Sequence, residues 1–377
     1  MNKKRGQWKN LESSGTYVRV RYAFTRLFLR YEPFIQLTRL NRPIGIFLLL
    51  WPTLWALWIA TEGAPDPKVV LIFVLGVILT RSAGCAMNDF ADRKLDGRVK
   101  RTANRPLVTG RMKPGTALFI FLVLGGLALG LVYQLSLSLG HFQVLYFAAA
   151  GAFLIVLYPF TKRFLHMPQV VLGMAFAMSV PMAFVAVPGD PELPPVAWVL
   201  YLAVVLWTTC YDTMYALVDR SDDLQVGVKS TAILFGDLFR VLLGILHALV
   251  LFALVMVGDL LKPATMPYYV GLAAAAVLAG YQLFLVHDRE PKNCFKAFLN
   301  NHWYGAAIFL GILYHYLIPA LGYGVVFVLI STYIGSIFLV YLLARIKNAN
   351  RPLWVLVSVC SGPAAIPLLL FARPKRV

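Results

Sequence analysis

The chain has 377 residues, of which 59% are hydrophobic and 14% charged, with a mean hydropathy of +0.71. Soluble domains carry about 25% charged residues, so the composition excludes an ordinary soluble domain and predicts an all-α protein that crosses a membrane many times. Lys and Arg number 35 against 17 Asp and Glu, a formal net charge of +18. Nucleic acid and anionic lipid both attract such an excess, and its distribution along the chain decides between them.

The first forty residues are basic and polar, without the order of basic, apolar and small residues that marks a cleaved signal peptide. Apolar runs long enough to span then follow near 44–61, 68–87, 116–134, 143–160, 169–188, 196–213, 237–258, 267–287 and 300–318. Two more lie near 320–344 and 352–372, the last interrupted by SGPAAIP. Residues 1–42 hold ten Lys/Arg, and the loop after the second run adds Arg93, Lys94, Arg98, Lys100, Arg101, Arg105, Arg111 and Lys113. Lys162 and Arg163, Arg220 and Lys229, then Arg289, Lys292 and Lys296 fill the next loops on that side. The alternate loops hold only Lys68 and Lys262. Positive loops mark the cytoplasmic side, so the N-terminus and the long polar loops are expected there, in a bacterial inner membrane. The charge then reads as topology and lipid attraction, not as nucleic-acid binding. Cys85, Cys210, Cys294 and Cys360 are scattered, with no CxxC pair or His at metal spacing, which argues against a disulfide framework or a zinc site.

The stretch NDFADRKLD, residues 88–96, follows an apolar run directly. Asn88, Asp92 and Asp96 are four apart, so a helix would stack them on one face with Asp89 at its edge. A second acidic stretch, YDTMYALVDRSDDLQVGVKS at 211–230, repeats the interval in Asp219 and Asp223 and adds Asp212, Tyr215 and Asp222. One acidic run after a membrane helix is commonly a solvated loop. Two such runs, each at the cytoplasmic end of an even-numbered span, favour a site in which two carboxylate faces meet. Hard oxygen ligands of this kind suit Mg²⁺, which takes one or two carboxylates and fills its sphere with water and phosphate oxygens. Arg93, Lys94, Arg101, Arg105, Lys162, Arg163 and Lys229 are candidates to clamp a diphosphate, and the rings of Tyr158 and Tyr215 to face a developing cation. Together these parts point to ionisation of a lipid allylic diphosphate within the bilayer.

NDFADRKLDGRVKRTANRPLVTG and YDTMYALVDRSDDLQVGVKSTAILFG resemble the two signatures of the UbiA-type intramembrane aromatic prenyltransferases. RPIGIFLLLWPTLWAL at the first span, YPFTKR at 158–163 and NCFKAFLNN at 293–301 are similar to the family's 4-hydroxybenzoate polyprenyltransferase branch. The resemblance covers roughly residues 35–317. It implies nine helices around a central cavity, Mg²⁺ dependence, a polyprenyl diphosphate donor and 4-hydroxybenzoate as acceptor, prenylated ortho to its hydroxyl for ubiquinone synthesis. By motif position, Asn88 and Asp92 would serve one metal and Asp219 and Asp223 the other. Asp96 and Asp89 would complete the first cluster, Asp212 would lie nearest the acceptor ring, and Arg42 would pair with the benzoate carboxylate. The alternatives are the same transfer to a naphthoate, homogentisate or haem, or a cation transporter lined by carboxylates. Residues 1–34, with VRVRYAFTRLFLRY, form a basic extension suited to the membrane surface. Residues 318–377 add one or two membrane segments without acidic side chains, expected to lie outside the catalytic bundle.

Overall fold

The computed structural model describes residues 31–188, 193–261, 264–346, 349 and 351–371. The proposed surface segment before residue 31 and the cations Lys347, Arg373, Lys375 and Arg376 lie outside the described residues. All regular structure among the described residues is helical. The helices form two compact units divided after Ile312.

The first unit holds α1 (Ile44–Ala60), α2 (Pro67–Asp92), α3 (Pro114–Leu139), α4 (Gln143–Thr161), α5 (Pro168–Ala177), α6 (Ser179–Val185), α7 (Pro195–Val226), α8 (Thr231–Leu234), α9 (Phe239–Leu260), α10 (Met266–Leu285) and most of α11 (Pro291–Leu321). Every predicted run from 44 to 318 is helical, and α5 and α6 together make one broken span. Large apolar side chains such as Phe119, Phe153, Phe252 and Val277 stay exposed. Such a belt requires lipid around it, and continuous helices satisfy every backbone group there. The protein is a multi-pass membrane protein.

Local signals set the helix ends that matter for the site. Asp66 caps α2, accepting the Lys68 N–H at 2.7 Å. Gly227 closes α7 in the left-handed region, φ 78°, and gives its N–H to Asp223 O at 3.0 Å. The second acidic stretch is therefore helical through Asp223, and α7 runs well past the apolar window 196–213. The first stretch behaves differently. α2 ends at Asp92, and Asp96 falls in a separate 3₁₀ turn, Asp96–Arg98. The expected four-residue stack of three side chains therefore holds only for Asn88 and Asp92. Like charges at that interval repel, and Gly97 disfavours helix continuation.

Helices approach most closely where residues are small. A Cβ built on Gly271 in α10 would lie 2.8 Å from Ala307 O and from Gly311 Cα of α11. Backbone cannot yield as a flexible side chain does, so Gly271→Ala is expected to lose about 1–3 kcal/mol through overpacking. Gly280 on the same helix has nothing within 4 Å of its built Cβ, so Gly280→Ala should be neutral or stabilising. Thermal midpoints of the two variants in one detergent check the contrast. Equal midpoints would contradict the packing reading.

The second unit holds the end of α11, then α12 (Tyr323–Ile346), α13 (Arg351–Ser361) and α14 (Ala365–Phe371). The predicted run 352–372 is not a single span. It turns at Gly362, φ 55°, where a Cβ would sit 2.7 Å from Tyr333 Cε2. Val340 and Ala344, near the end of α12, share a core with Ala365 and Leu369 of α14. Eleven residues of α13 reach about 16 Å, short of the ~30 Å hydrocarbon thickness. The segment runs out along α13 and returns through α14 to pack on α12, a helical hairpin.

Candidate active site

The first cluster forms at the end of α2. Lys162, the residue after α4, donates to Asn88 Oδ1 at 3.2 Å and Asp92 Oδ2 at 3.1 Å. Burial alone would favour its neutral amine, but Tyr158, Asp92 and Asp212 outweigh burial and hold Lys162 above the ordinary lysine pKa. It is a fixed cation. Asp92 Oδ1 is closed to solvent and has no protein partner. Asp89 is 1% exposed and accepts from Arg39 Nη2 at both oxygens, at 2.8 and 3.0 Å, and lies 3.0 Å from Arg105. Arg105 also reaches Asp96 at 2.6 Å. Burial pushes the Asp96 carboxyl above its usual range, with Arg105 opposing. Asp89 and Asp96 together keep Arg105 protonated against its own burial. Leu37, fully buried against Ala86 and Ala117, pins the segment that carries Arg39.

The second cluster lies on the last turns of α7. The loop after α2 crosses to it. The Lys100 backbone N–H donates to Asp222 Oδ2 at 2.9 Å, and Arg101 Nε donates to both Asp219 oxygens at 2.9 and 3.0 Å, with its Nη2 also on Oδ2. The Arg101 guanidinium lies 4.6 Å from the centre of the Tyr215 ring. Tyr215 packs on Phe298 at 4.7 Å, and Lys162 sits 5.1 Å from the Tyr158 ring. Lys229 joins the loops by donating its backbone N–H to Lys162 O at 3.0 Å and its Nζ to Phe164 O at 3.1 Å.

Both clusters line one cavity of about 830 Å³. Asn88, Asp92, Asp96, Arg101, Arg105, Tyr158, Lys162, Asp212, Tyr215, Asp219, Asp223 and Lys229 all contribute to its wall. So does Arg42, which is exposed where α1 begins. Arg93 and Arg163 do not line it. Their guanidinium groups donate to Phe90 O at 2.6 Å and Ala91 O at 3.0 Å, where cations satisfy the free carbonyls at the C-terminus of α2. Away from the charges the wall turns apolar between α2, α3 and α4. Gly76 and Gly125 there have nothing within 4 Å of a built Cβ.

One wall residue was absent from the sequence candidates. Arg81 lies three turns into the membrane from Asp92, on α2, facing the cavity. Its Nε is closed to solvent without a partner, and its guanidinium lies 5.7 Å from the Phe176 ring. Asp212 sits among Lys162, Arg81 and Tyr158. A lone arginine inside an apolar run marks function by default, and that signal was present in VVLIFVLGVILTR.

No three His, Cys, Asp or Glu side chains among the described residues are grouped to hold a metal by themselves. Each cluster instead offers two oxygen-bearing side chains facing the cavity, and Asp92 Oδ1 is unused. That donor set fits a hard divalent cation whose remaining ligands are water and phosphate.

A membrane bundle that holds two carboxylate clusters and fixed cations at the mouth of an apolar cavity is built to bind a charged head on a greasy tail. Residues 49–305 match the UbiA prenyltransferase family. The chain is 51% identical over 300 residues to a 4-hydroxybenzoate octaprenyltransferase of Pseudomonas syringae pv. syringae, covering 80% of this chain and 99% of that protein. It is 54% identical over 285 residues to a protein of the same name from Nitrosococcus oceani, covering 75% and 97%. A UbiA homologue from Aeropyrum pernix, solved in the apo form, shares the fold with a TM-score of 0.61 at 22% identity, covering 71% of this chain and 96% of that one. A UbiA homologue from Archaeoglobus fulgidus bound to GPP and Mg²⁺ gives 0.55 at 18% identity, covering 73% and 99%. The chain belongs to the UbiA prenyltransferase family.

Proposed function

We propose that the protein transfers a polyprenyl group, an octaprenyl group by its relatives' names, from the diphosphate to the ring carbon of 4-hydroxybenzoate ortho to the hydroxyl, for ubiquinone synthesis. The observation that carries this reading is the placement of Asn88/Asp92 and Asp219/Asp223 on one cavity together with Lys162 and Arg101. Asn88 with Asp92, and Asp219 with Asp223, would each hold one Mg²⁺. When bound, Mg²⁺ supplies positive charge to the diphosphate oxygens. Lys162, Arg101, Arg105 and Lys229 add fixed charge on the same side. The tail lies along the apolar wall between α2, α3 and α4.

The allylic C–O bond breaks with both electrons going to the diphosphate. The rings of Tyr158 and Tyr215 face the carbon that becomes positive. The acceptor's ortho carbon forms the new C–C bond, and its proton passes to the Asp212 carboxylate. Arg81 and Arg42 are the cations available to the acceptor carboxylate, with Arg81 the better placed because it is half-buried and its Nε is closed to solvent without a hydrogen-bond partner. The apolar walls exclude water that would capture the cation. Asp89 and Asp96 hold Arg105 in place. The mouth of the cavity and the N-terminus face the cytoplasm, following the charge of the loops.

Competition between acceptors tests the reading. With 4-hydroxybenzoate, a dihydroxynaphthoate, homogentisate and haem present together at equal concentration, the prenylated product is expected to be that of 4-hydroxybenzoate. A different dominant product would move the acceptor while leaving the donor chemistry in place.

The second unit carries no acidic side chain, and its role is separate from the chemistry in this proposal. A chain ended after Leu321 should keep its rate per inserted molecule. Normal insertion with no activity would make the unit part of the site.

A further inference from the structure

Arg81 occupies a slot that exists because residue 45 has no side chain. Gly45 is buried in the first turn of α1, opposite Arg81 on α2. A Cβ built on Gly45 would fall against Arg81 Nε, 2.5 Å from Nη2 and 2.8 Å from Cζ. On its other side the guanidinium meets the Phe176 ring at 5.7 Å. The α1 backbone is poorly placed to retreat, because Leu48, Leu49, Trp55 and Ala56 are all buried along it. The cavity side of Arg81 is open. Any side chain at residue 45 would therefore displace the guanidinium toward the cavity.

We propose that Gly45 is a positioning residue for Arg81, and that through it the protein selects acceptors whose ring bears a carboxylate. This rests on the assignment of Arg81 to the acceptor carboxylate. Pairing between a guanidinium and a carboxylate is strict in distance and plane, and displacement of a binding group by about 1 Å can cost about a hundredfold in rate. The substitution that tests it is mild for the helix, since Ala is a better helix former than Gly.

The experiment measures KM and kcat for 4-hydroxybenzoate and for the donor in Gly45→Ala, Arg81→Ala and the double variant. The neutral isostere 4-hydroxybenzamide serves as a second acceptor, and thermal midpoints are recorded throughout. Gly45→Ala is expected to raise the KM for 4-hydroxybenzoate by about 10- to 100-fold. The donor KM, the weak rate with the amide and the thermal midpoint should stay close to those of the unaltered protein. In the Arg81→Ala background the same substitution should add nothing, because the group it displaces is gone. If Arg81→Ala raises the acceptor KM and Gly45→Ala does not, the role of Gly45 is overturned while that of Arg81 stands. If Arg81→Ala leaves the acceptor KM unchanged, the assignment of Arg81 fails first and the proposal with it. Equal losses on the acid and the amide, or full additivity in the double variant, would make Gly45 an ordinary packing position and overturn the proposal.

Discussion

Asp92→Asn and Asp219→Asn should each lower turnover by at least about a thousandfold, or roughly 4 kcal/mol in the barrier, while the protein still inserts and melts cooperatively. The isosteric change keeps shape and removes charge. Asp92 is 6% exposed, and its Oδ2 is the charged partner of Lys162 at 3.1 Å. An amide there leaves Lys162 with weaker compensation and leaves one metal position with two neutral oxygens, from Asn88 and residue 92. At Asp219 the change weakens the pair with Arg101, so one of the two ties between the loop and α7 is loosened, beside that of Lys100 to Asp222, and a charged ligand is lost. Initial rates in nanodiscs at saturating substrates give the effect, and thermal midpoints separate it from misfolding. Near-normal turnover in both variants would remove the two-cluster account.

The second large effect separates the two arginines offered to the acceptor. Arg81→Ala is expected to raise the KM for 4-hydroxybenzoate by about 30-fold or more and to leave that for the donor within a few fold. Removal of a buried, charge-assisted hydrogen bond is worth about 2–5 kcal/mol. Arg42→Ala should do less, because Arg42 is exposed and water competes for its donors. The resemblance of the RPIG segment points to Arg42, whereas the depth and unpartnered Nε of Arg81 point inward. The reverse ranking in measured KM values would return the carboxylate to Arg42.

The pairing of acidic side chains on the helices is legible in the sequence where periodicity and helix extent coincide. The four-residue interval of Asp219 and Asp223 survives because α7 continues to Val226, and that of Asn88 and Asp92 because α2 ends only after it. Asp96 lies beyond the end of that helix, since the interval in the sequence says nothing about where a helix stops. Arg93 and Arg163 show the same limit for charge. A loop cation near a site can turn to the cavity, as Arg101 does, or back onto helix carbonyls. Spacing does not choose between these. Arg81 was legible as a lone charge in an apolar run, but its meaning depends on Gly45 and Phe176, which only the packed helices bring to it. The turn at Gly362 was foreshadowed by SGPAAIP, and its return beside α12 depends on tertiary packing of Val340 and Ala344 with Ala365 and Leu369.

The most direct measurement is the product formed by purified protein in nanodiscs from ring-labelled 4-hydroxybenzoate and octaprenyl diphosphate, with its mass and substitution position determined, in Mg²⁺ and in EDTA. The account predicts one product, carrying a single octaprenyl chain on the carbon ortho to the hydroxyl, formed in Mg²⁺, lost in EDTA and restored when Mg²⁺ is returned. Folded protein that releases diphosphate without prenylating the ring, gives no product, or works equally well in EDTA would contradict it.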